Sequence, residues 1–292
     1  MSAFLASVRR AGRTPGARLG GLLVALVLAV AVASPLLAPH DPRHQQRDGL
    51  SDTGLPLSPG ETSQYPLGTD GLGRDVLSRL VYGARISMIV GGLANSLAIL
   101  IGLTVGLVAG YSGGVVQALL MRIVDVIMSV PLLLLAIALA ALLRPSLAIV
   151  IVVVSAVYWT SMARLVCGEV LTLRELDFVT AARALGASGW RVIVWHLLPN
   201  LAPLAVVFAT LGIGTTIRVE ATLSYLGVGV PPPAPTWGNM IFEGQAFFRS
   251  APWLVLIPGV TVMVTVLGFN LLGEGLRDAL DPLRRTRDAG AA

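Results

Sequence analysis

The sequence predicts an all-α membrane protein of six transmembrane helices, and three observations carry that prediction. Of the 292 residues, 55% are hydrophobic and only 13% charged, where a soluble domain carries about 25% charged residues. The deficit runs along most of the chain, so no single buried helix accounts for it. Apolar stretches approaching the roughly 20 residues that a spanning helix needs recur six times. The basic residues, finally, are denser in alternate loops, as the positive-inside rule requires.

The first stretch, Leu19–Ala38, follows Arg9, Arg10, Arg13 and Arg18. Ala31-Val32-Ala33 has the small-residue pattern of a secretory cleavage site, but the apolar run continues to Ala38 and is long enough to cross a bilayer. The second stretch is Ile86–Gly110. The third and fourth, Ile123–Leu143 and Leu147–Met162, are separated only by Arg144-Pro145-Ser146, a tight hairpin. Leu201–Ile217, running on toward Leu226, is the fifth and Trp253–Leu272 the sixth. Residues 1–84 then read as a tail, one span and a loop, 85–278 as a five-span core domain, and 279–292 as a second tail.

Every one of the 21 basic residues is Arg. With the N-terminus inside, thirteen lie in the cytoplasm: Arg9, Arg10, Arg13, Arg18, Arg122, Arg164, Arg174, Arg183, Arg191, Arg277, Arg284, Arg285 and Arg287. Seven lie outside: Arg43, Arg47, Arg74, Arg79, Arg85, Arg144 and Arg249. Arg218 falls within a span. Both termini are therefore expected in the cytoplasm, the hydrophilic stretch Pro39–Arg85 outside and Ala163–Asn200 inside.

Composition also excludes function classes. A P-loop needs a Lys ammonium on the β- and γ-phosphates, and a chain without Lys holds none. No catalytic triad or metal-ligand cluster is visible, and the single Cys167 permits no intrachain disulfide. The net charge of +5 fits a membrane surface; the Arg residues flank apolar spans and are not interleaved with aromatics, so nucleic acid is not expected as a partner. His40 and His44 are four apart, but Pro39 and Pro42 break any helix there and no further ligand completes a metal site.

The interior stretch carries the sharpest signal. From Asp177, an N-cap type, through Thr180, Ala181, Ala182 and Arg183 to Gly186, a C-cap type, followed by Ala187 and Ser188, it reads as a short helix. Val179, Ala182, Arg183 and Gly186 share one small, mostly apolar face, suited to docking in a groove of a cytoplasmic protein or to resting on lipid. Gly102, Gly106 and Gly110, spaced by four, form a ridge on which helices approach closely. Arg218 and Glu220 are ionisable groups in an apolar span and so face a bundle interior or a wet cavity. Two apart, they point to different helix faces; Glu220 reads equally as an interhelical hydrogen-bonding group and as a pathway residue. Asp125, with Arg122 three residues before it, reads as a local ion pair.

Three stretches resemble one family. Asp177–Asn200 resembles the E-A-A loop of ATP-binding-cassette importer permeases, matching at Ala181, Ala182, Gly186, Leu198 and Pro199, with Thr180 where the family usually has Glu. Tyr65–Leu80, including Gly68, Thr69, Asp70, Arg74 and Asp75, resembles the H-P-L-G-T-D segment of the dipeptide, oligopeptide and nickel branch, specifically its C-type subunit, with Tyr65 in place of His. Glu220–Val230, followed by Trp237, Gly238 and Asn239, is similar to that branch's E-A-x-L-S-F-L-G-x-G segment. The resemblance implies a type I importer permease fold in a bacterial inner membrane, with peptide more frequent than nickel as the solute. It further implies a homologous second permease as heterodimer partner, two ATPase subunits that bind the ATP and Mg, and an extracytoplasmic substrate-binding protein. The Asp177–Ser188 helix would meet an ATPase, and Gln64–Arg79 with Pro231–Met240 would receive the binding protein. The chain itself would bind no cofactor and catalyse nothing. A stand-alone secondary transporter, the competing class, usually shows an inverted repeat, and none is evident.

Overall fold

The computed structural model describes residues 14–144 and 146–280. Apart from two isolated β-bridges in the 39–75 loop, regular structure among these residues is helical. α1 (Pro15–Val32) begins where Thr14 Oγ1 accepts the Ala17 N–H at 3.3 Å and Pro15 takes the first turn, whose N–H groups have no helical partner. It does not run to Ala38. A break at Ala33 is followed by a single turn, α2 (Ser34–Leu37), with Pro35 in its first turn.

α3 (Val76–Ser112) is 37 residues long, about 55 Å at 1.5 Å per residue and so well beyond the hydrocarbon thickness. It begins before residue 85, and the domain boundary expected between 84 and 85 falls inside it. Gly113 and Gly114, both with positive φ, turn the chain directly into α4 (Gly114–Met128). α5 (Leu132–Leu142) follows at an 85° bend. The expected third span is thus two helices. Pro131 lacks the N–H a continuous helix would use, and its ring pushes Val130 out of helical conformation; apolarity alone does not register that break. α6 (Leu147–Leu173) outruns its apolar stretch by some turns, carrying Arg164 and Glu169 on a continuing helix. α7 (Asp177–Ala184) and the one-turn α8 (Gly189–Val192) lead through a π-turn, 193–197, into α9 (Leu198–Tyr225). α10 (Trp237–Gly244) and α11 (Trp253–Leu280) complete the order. Among the described residues, five helices are long and apolar enough to cross a membrane, six spans if the bent pair counts as one. Arg9, Arg10, Arg13, Pro145, Arg284, Arg285, Arg287 and nearly all of the 279–292 tail lie outside the described residues.

Small residues set the packing. The α3–α6 pair is the most extensive helix contact, and Gly102, Gly106 and Gly110 lie at its seam. A Cβ on Gly106 would sit 2.6 Å from the Ala163 carbonyl oxygen, and one on Gly102 would meet Met162 Cβ at the same distance. Bare backbone is what lets the helices come this close. A second crossing of the same kind joins α1 to α11 through Gly20, Gly268 and Gly275. Leu22, Leu26 and Val32 of α1 and Leu119, Val126 and Leu134 of the bent pair remain exposed, as side chains facing lipid or a further helix do.

Candidate functional site

Three places along the bundle carry the residues singled out from the sequence. The first lies at the end of the bundle where α3 finishes. α7 is capped by Leu176 without any side-chain bond, and Asp177 sits inside the first turn. It is therefore not the N-cap; its charge instead faces the positive end of the helix dipole. The opposite end is closed by Gly186 at φ +83°: its N–H donates to the Arg183 carbonyl at 2.9 Å, and the Ala187 N–H to the Ala182 carbonyl at 3.0 Å. This pair of bonds is a Schellman closure and demands a residue at ease with positive φ.

Val179 is the one buried residue of α7, packed with Val170, Leu173 and Val192. The face expected to be presented outward is thus partly an anchor. The Arg183 guanidinium lies 4.9 Å from the Tyr111 ring centroid, tying α7 to the end of α3. Thr180, Ala181 and Ser188 are exposed, with Ala182 and Ala187 half-buried. Ser188 Oγ caps α8 by accepting the Arg191 N–H at 3.4 Å. Pro199 lies in the first turn of α9, and the π-turn before it widens the helix where its ring would meet the carbonyl four residues back. Sequence reasoning missed the large apolar side chains around this peg. Leu185 is 90% exposed and Trp190 76%, and Phe178 and Trp195 are also exposed. A Leu immediately before a C-cap Gly was the available signal.

The second place is the opposite end of the bundle, where the 39–75 loop folds against α3 and α10. Thr69, Asp70, Arg74, Asp75, Trp237 and Asn239 are all buried. Their side chains are bonded within this chain and frame the loop. Arg74 Nε meets Asp70 Oδ2 at 2.7 Å and its Nη2 meets Glu243 Oε2 at 2.5 Å, while Arg79 Nη1 and Nη2 reach the same two carboxylates at 3.1 and 2.7 Å. Two guanidinium and two carboxylate groups therefore alternate around one junction of loop, α3 and α10. Thr69 Oγ1 donates to the Gly49 carbonyl at 2.5 Å and accepts the Leu57 N–H at 2.9 Å. Asp75 caps α3 through the Ser78 N–H at 2.9 Å, Trp237 Nε1 donates to the Leu80 carbonyl at 3.1 Å, and Asn239 Nδ2 to the Val230 carbonyl at 2.6 Å. Gly68 has φ +74°, and a Cβ there would lie 2.2 Å from the Leu57 carbonyl oxygen.

Tyr65, fully buried, donates to Asp48 Oδ1 at 2.8 Å, and burial followed by that bond pushes its phenol up to about 12. His40 is not a freely solvated loop residue. It is half-buried, its ring 5.2 Å from that of Tyr65, and its backbone N–H donates to Ser78 Oγ. The exposed rim consists of Leu72, Phe242, Phe248 and the turn around 59–64. Glu243, which sequence reading passed over, is the hinge of the whole network.

The third place is α9. Glu220 is fully buried, accepting from Ser87 Oγ of α3 at 3.2 Å and from Ser224 Oγ at 2.8 Å. The interhelical hydrogen bond expected of it is made, to Ser87 of α3. Arg218 points elsewhere, as the two-residue spacing requires: it is exposed, and Nη2 donates to Thr215 Oγ1 at 3.2 Å. It lines an open groove of about 690 Å³ with Thr222 and Tyr225 of α9, Ile241, Gln245 and Phe248. Asp125 pairs not with Arg122 but with Arg164, joining α4 to α6.

Comparison with known proteins places this architecture. Residues 98–286 match the family described as binding-protein-dependent transport system inner membrane component. The chain is 40% identical over 272 residues to the dipeptide transport system permease protein DppC of Haemophilus influenzae, covering 91% of this chain and 90% of that relative. To the DppC of Alkalihalophilus pseudofirmus it is 44% identical over 224 residues, 76% of this chain and 73% of the relative. Identity to the glutathione transport system permease protein GsiD of Escherichia coli is 42% over 275 residues, 94% and 88% of the two chains. Among solved structures, an inward-facing conformation of the MetNI methionine ABC transporter superposes with a TM-score of 0.57 at 21% identity, covering 70% of this chain and 97% of that one.

Proposed function

This chain belongs to the family of binding-protein-dependent transport system inner membrane components, and from that premise we propose that it is the C-type permease subunit of a peptide importer. It would form half of a translocation path with a homologous second permease, be driven by two ATPase subunits that hold the ATP and Mg, and receive its solute from a binding protein. It would carry out no catalysis. Names of relatives at 40–44% identity, dipeptide and glutathione permeases alike, support a peptide solute over nickel.

The observation that carries the coupling role is α7: a helix of eight residues, closed at Gly186 and anchored by Val179, with Leu185, Phe178 and Trp190 left uncovered around it. Such a peg is rigidly held from behind and apolar in front, which suits a groove on an ATPase. The Arg count supports a cytoplasmic location for α7 and for both termini. The 39–75 loop would then face outside, its exposed rim at Leu72, Phe242 and Phe248 meeting the binding protein and its buried ion-pair frame holding that rim in place.

Uptake by proteoliposomes containing the cognate complex tests this reading. Dialanine should accumulate only with ATP inside and loaded binding protein outside; accumulation without either would return the chain to the class of stand-alone transporters. For orientation, an impermeant thiol reagent should modify Ser58→Cys in intact cells and Ser188→Cys only after permeabilisation. The reverse pattern would invert the topology.

A further inference from the structure

We propose that Arg218 reads the C-terminal carboxylate of the peptide as it enters the bundle. The inference rests on the peptide-importer reading above, and goes beyond it by assigning a specificity-determining residue.

Arg218 stands apart from the other cations buried or bridged in the fold. Arg74 and Arg79 share two carboxylates, and Arg164 holds Asp125. Arg218 meets no carboxylate among the described residues; its side-chain bond goes to the Thr215 hydroxyl. Glu220, the acid nearest in sequence, is turned to the far side of α9 and engaged by Ser87 and Ser224. A guanidinium placed in a span is costly unless it faces a partner or a wet cavity. Here it faces a groove of about 690 Å³, within the range of about 300–1,000 Å³ typical of small-molecule sites.

Walls and position favour one occupant. Ile241, Phe248, Val255 and Val262 make the lining largely apolar, with Gln245 and Tyr225 as uncharged polar groups, and no acidic side chain among the lining residues. The site therefore carries positive charge that no acidic lining residue opposes, and a bidentate carboxylate is the ligand its fork geometry matches. Arg218 lies seven residues before the end of α9 that packs against α10, about 10 Å along the helix. A solute released by a binding protein at that end would have this groove within reach.

Every peptide with a free C-terminus carries the matching anion; a C-terminal amide keeps the size and removes the charge. The test compares initial uptake of dialanine and dialaninamide by the full complex in proteoliposomes, each at a concentration that saturates the binding protein. Wild type should move dialanine at least about tenfold faster, the lower end of what a hydrogen bond to a charged group is worth. Arg218→Gln should slow dialanine by a similar factor, leave dialaninamide within about twofold, and bring the ratio near one. Arg218→Lys, which keeps charge but not the fork, should give an intermediate ratio. If Arg218→Gln lowers both rates equally, the residue serves an acid of the second permease or a lipid phosphate, and the inference is overturned. An unchanged ratio overturns it as well. A wild-type complex that carries neither peptide overturns the peptide reading together with this inference, whereas one that carries dialanine and keeps its preference in Arg218→Gln overturns the inference alone.

Discussion

The two ends of this bundle are built on opposite plans. At the loop end, a folded extramembrane segment is fixed by polar groups bonded inward: two buried Arg, the buried Asp70, the half-buried Glu243, and the side chains of Thr69, Asp75 and Asn239. At the other end, α7 is held by one buried Val and a cation–π contact, and its large apolar side chains face out. In the sequence the two motifs look alike, each a dense run of recognisable residues. Burial separates them. A polar cluster satisfied internally is a frame, and an apolar cluster left uncovered is a contact surface.

That contrast predicts different failures. The largest effect on stability should come from Arg79→Met at the loop end. It removes one cation from a junction where Asp70 and Glu243 are shared with Arg74, so each carboxylate keeps one partner and loses its other charge-assisted bond, a loss of about 1.5–3 kcal/mol. Thermal unfolding of the purified complex should shift down markedly, and the 39–75 loop should become cleavable by protease. A variant with wild-type melting and an intact loop would show that the ion pairs are incidental to the frame.

How far each end could be read from sequence follows from the same physics. The spans were legible because apolar length is a local property, and the Gly102, Gly106 and Gly110 seam because its spacing is. The α1–α11 crossing was not, since Gly20 and Gly268 are far apart in the chain and only contact pairs them. Pro131 lay in plain view within an apolar run, yet the 85° bend depends on its missing N–H rather than on hydropathy. Asp70 and Arg74 were recognised as important, but their partner Glu243 is remote in sequence, and without it they pass for exposed contacts. Glu220 and Arg218 were separable in advance because helix geometry alone sends them to different faces.

An intermediate effect is expected at Gly186. Because its φ is +83°, Gly186→Ala is not a neutral change: an L side chain in that region costs about 1–2 kcal/mol. Gly186→Asn, a residue that tolerates the left-handed conformation, should cost less. The order Gly, Asn, Ala, Pro should hold for ATPase stimulation by loaded binding protein, with the overall melting temperature moving little because the strain is confined to the Schellman closure. Equal activity across the four would mean that the shape of the peg's end is irrelevant to coupling.

The smallest effect on stability and the sharpest test of the contrast belong to Leu185→Ser. At 90% exposure, Leu185 packs against almost nothing in this chain, so its loss should leave stability within about 0.5 kcal/mol of wild type, as for other surface substitutions. Its backbone already sits at the helix C-cap with φ −80°, and Ser adopts that conformation without strain. If α7 docks into an ATPase groove, however, Leu185 becomes buried there, and covering a Leu side chain is worth about 1.5–3 kcal/mol. Association with the ATPase pair should then weaken by roughly tenfold or more, and stimulated turnover should fall with it, while the same complex melts as before. Arg79→Met should do the reverse, lowering the melting temperature first and turnover only as the frame opens. A Leu185→Ser complex that couples normally would show that exposure at this end marks lipid contact alone, and the division of the molecule into a framed end and a docking end would fail.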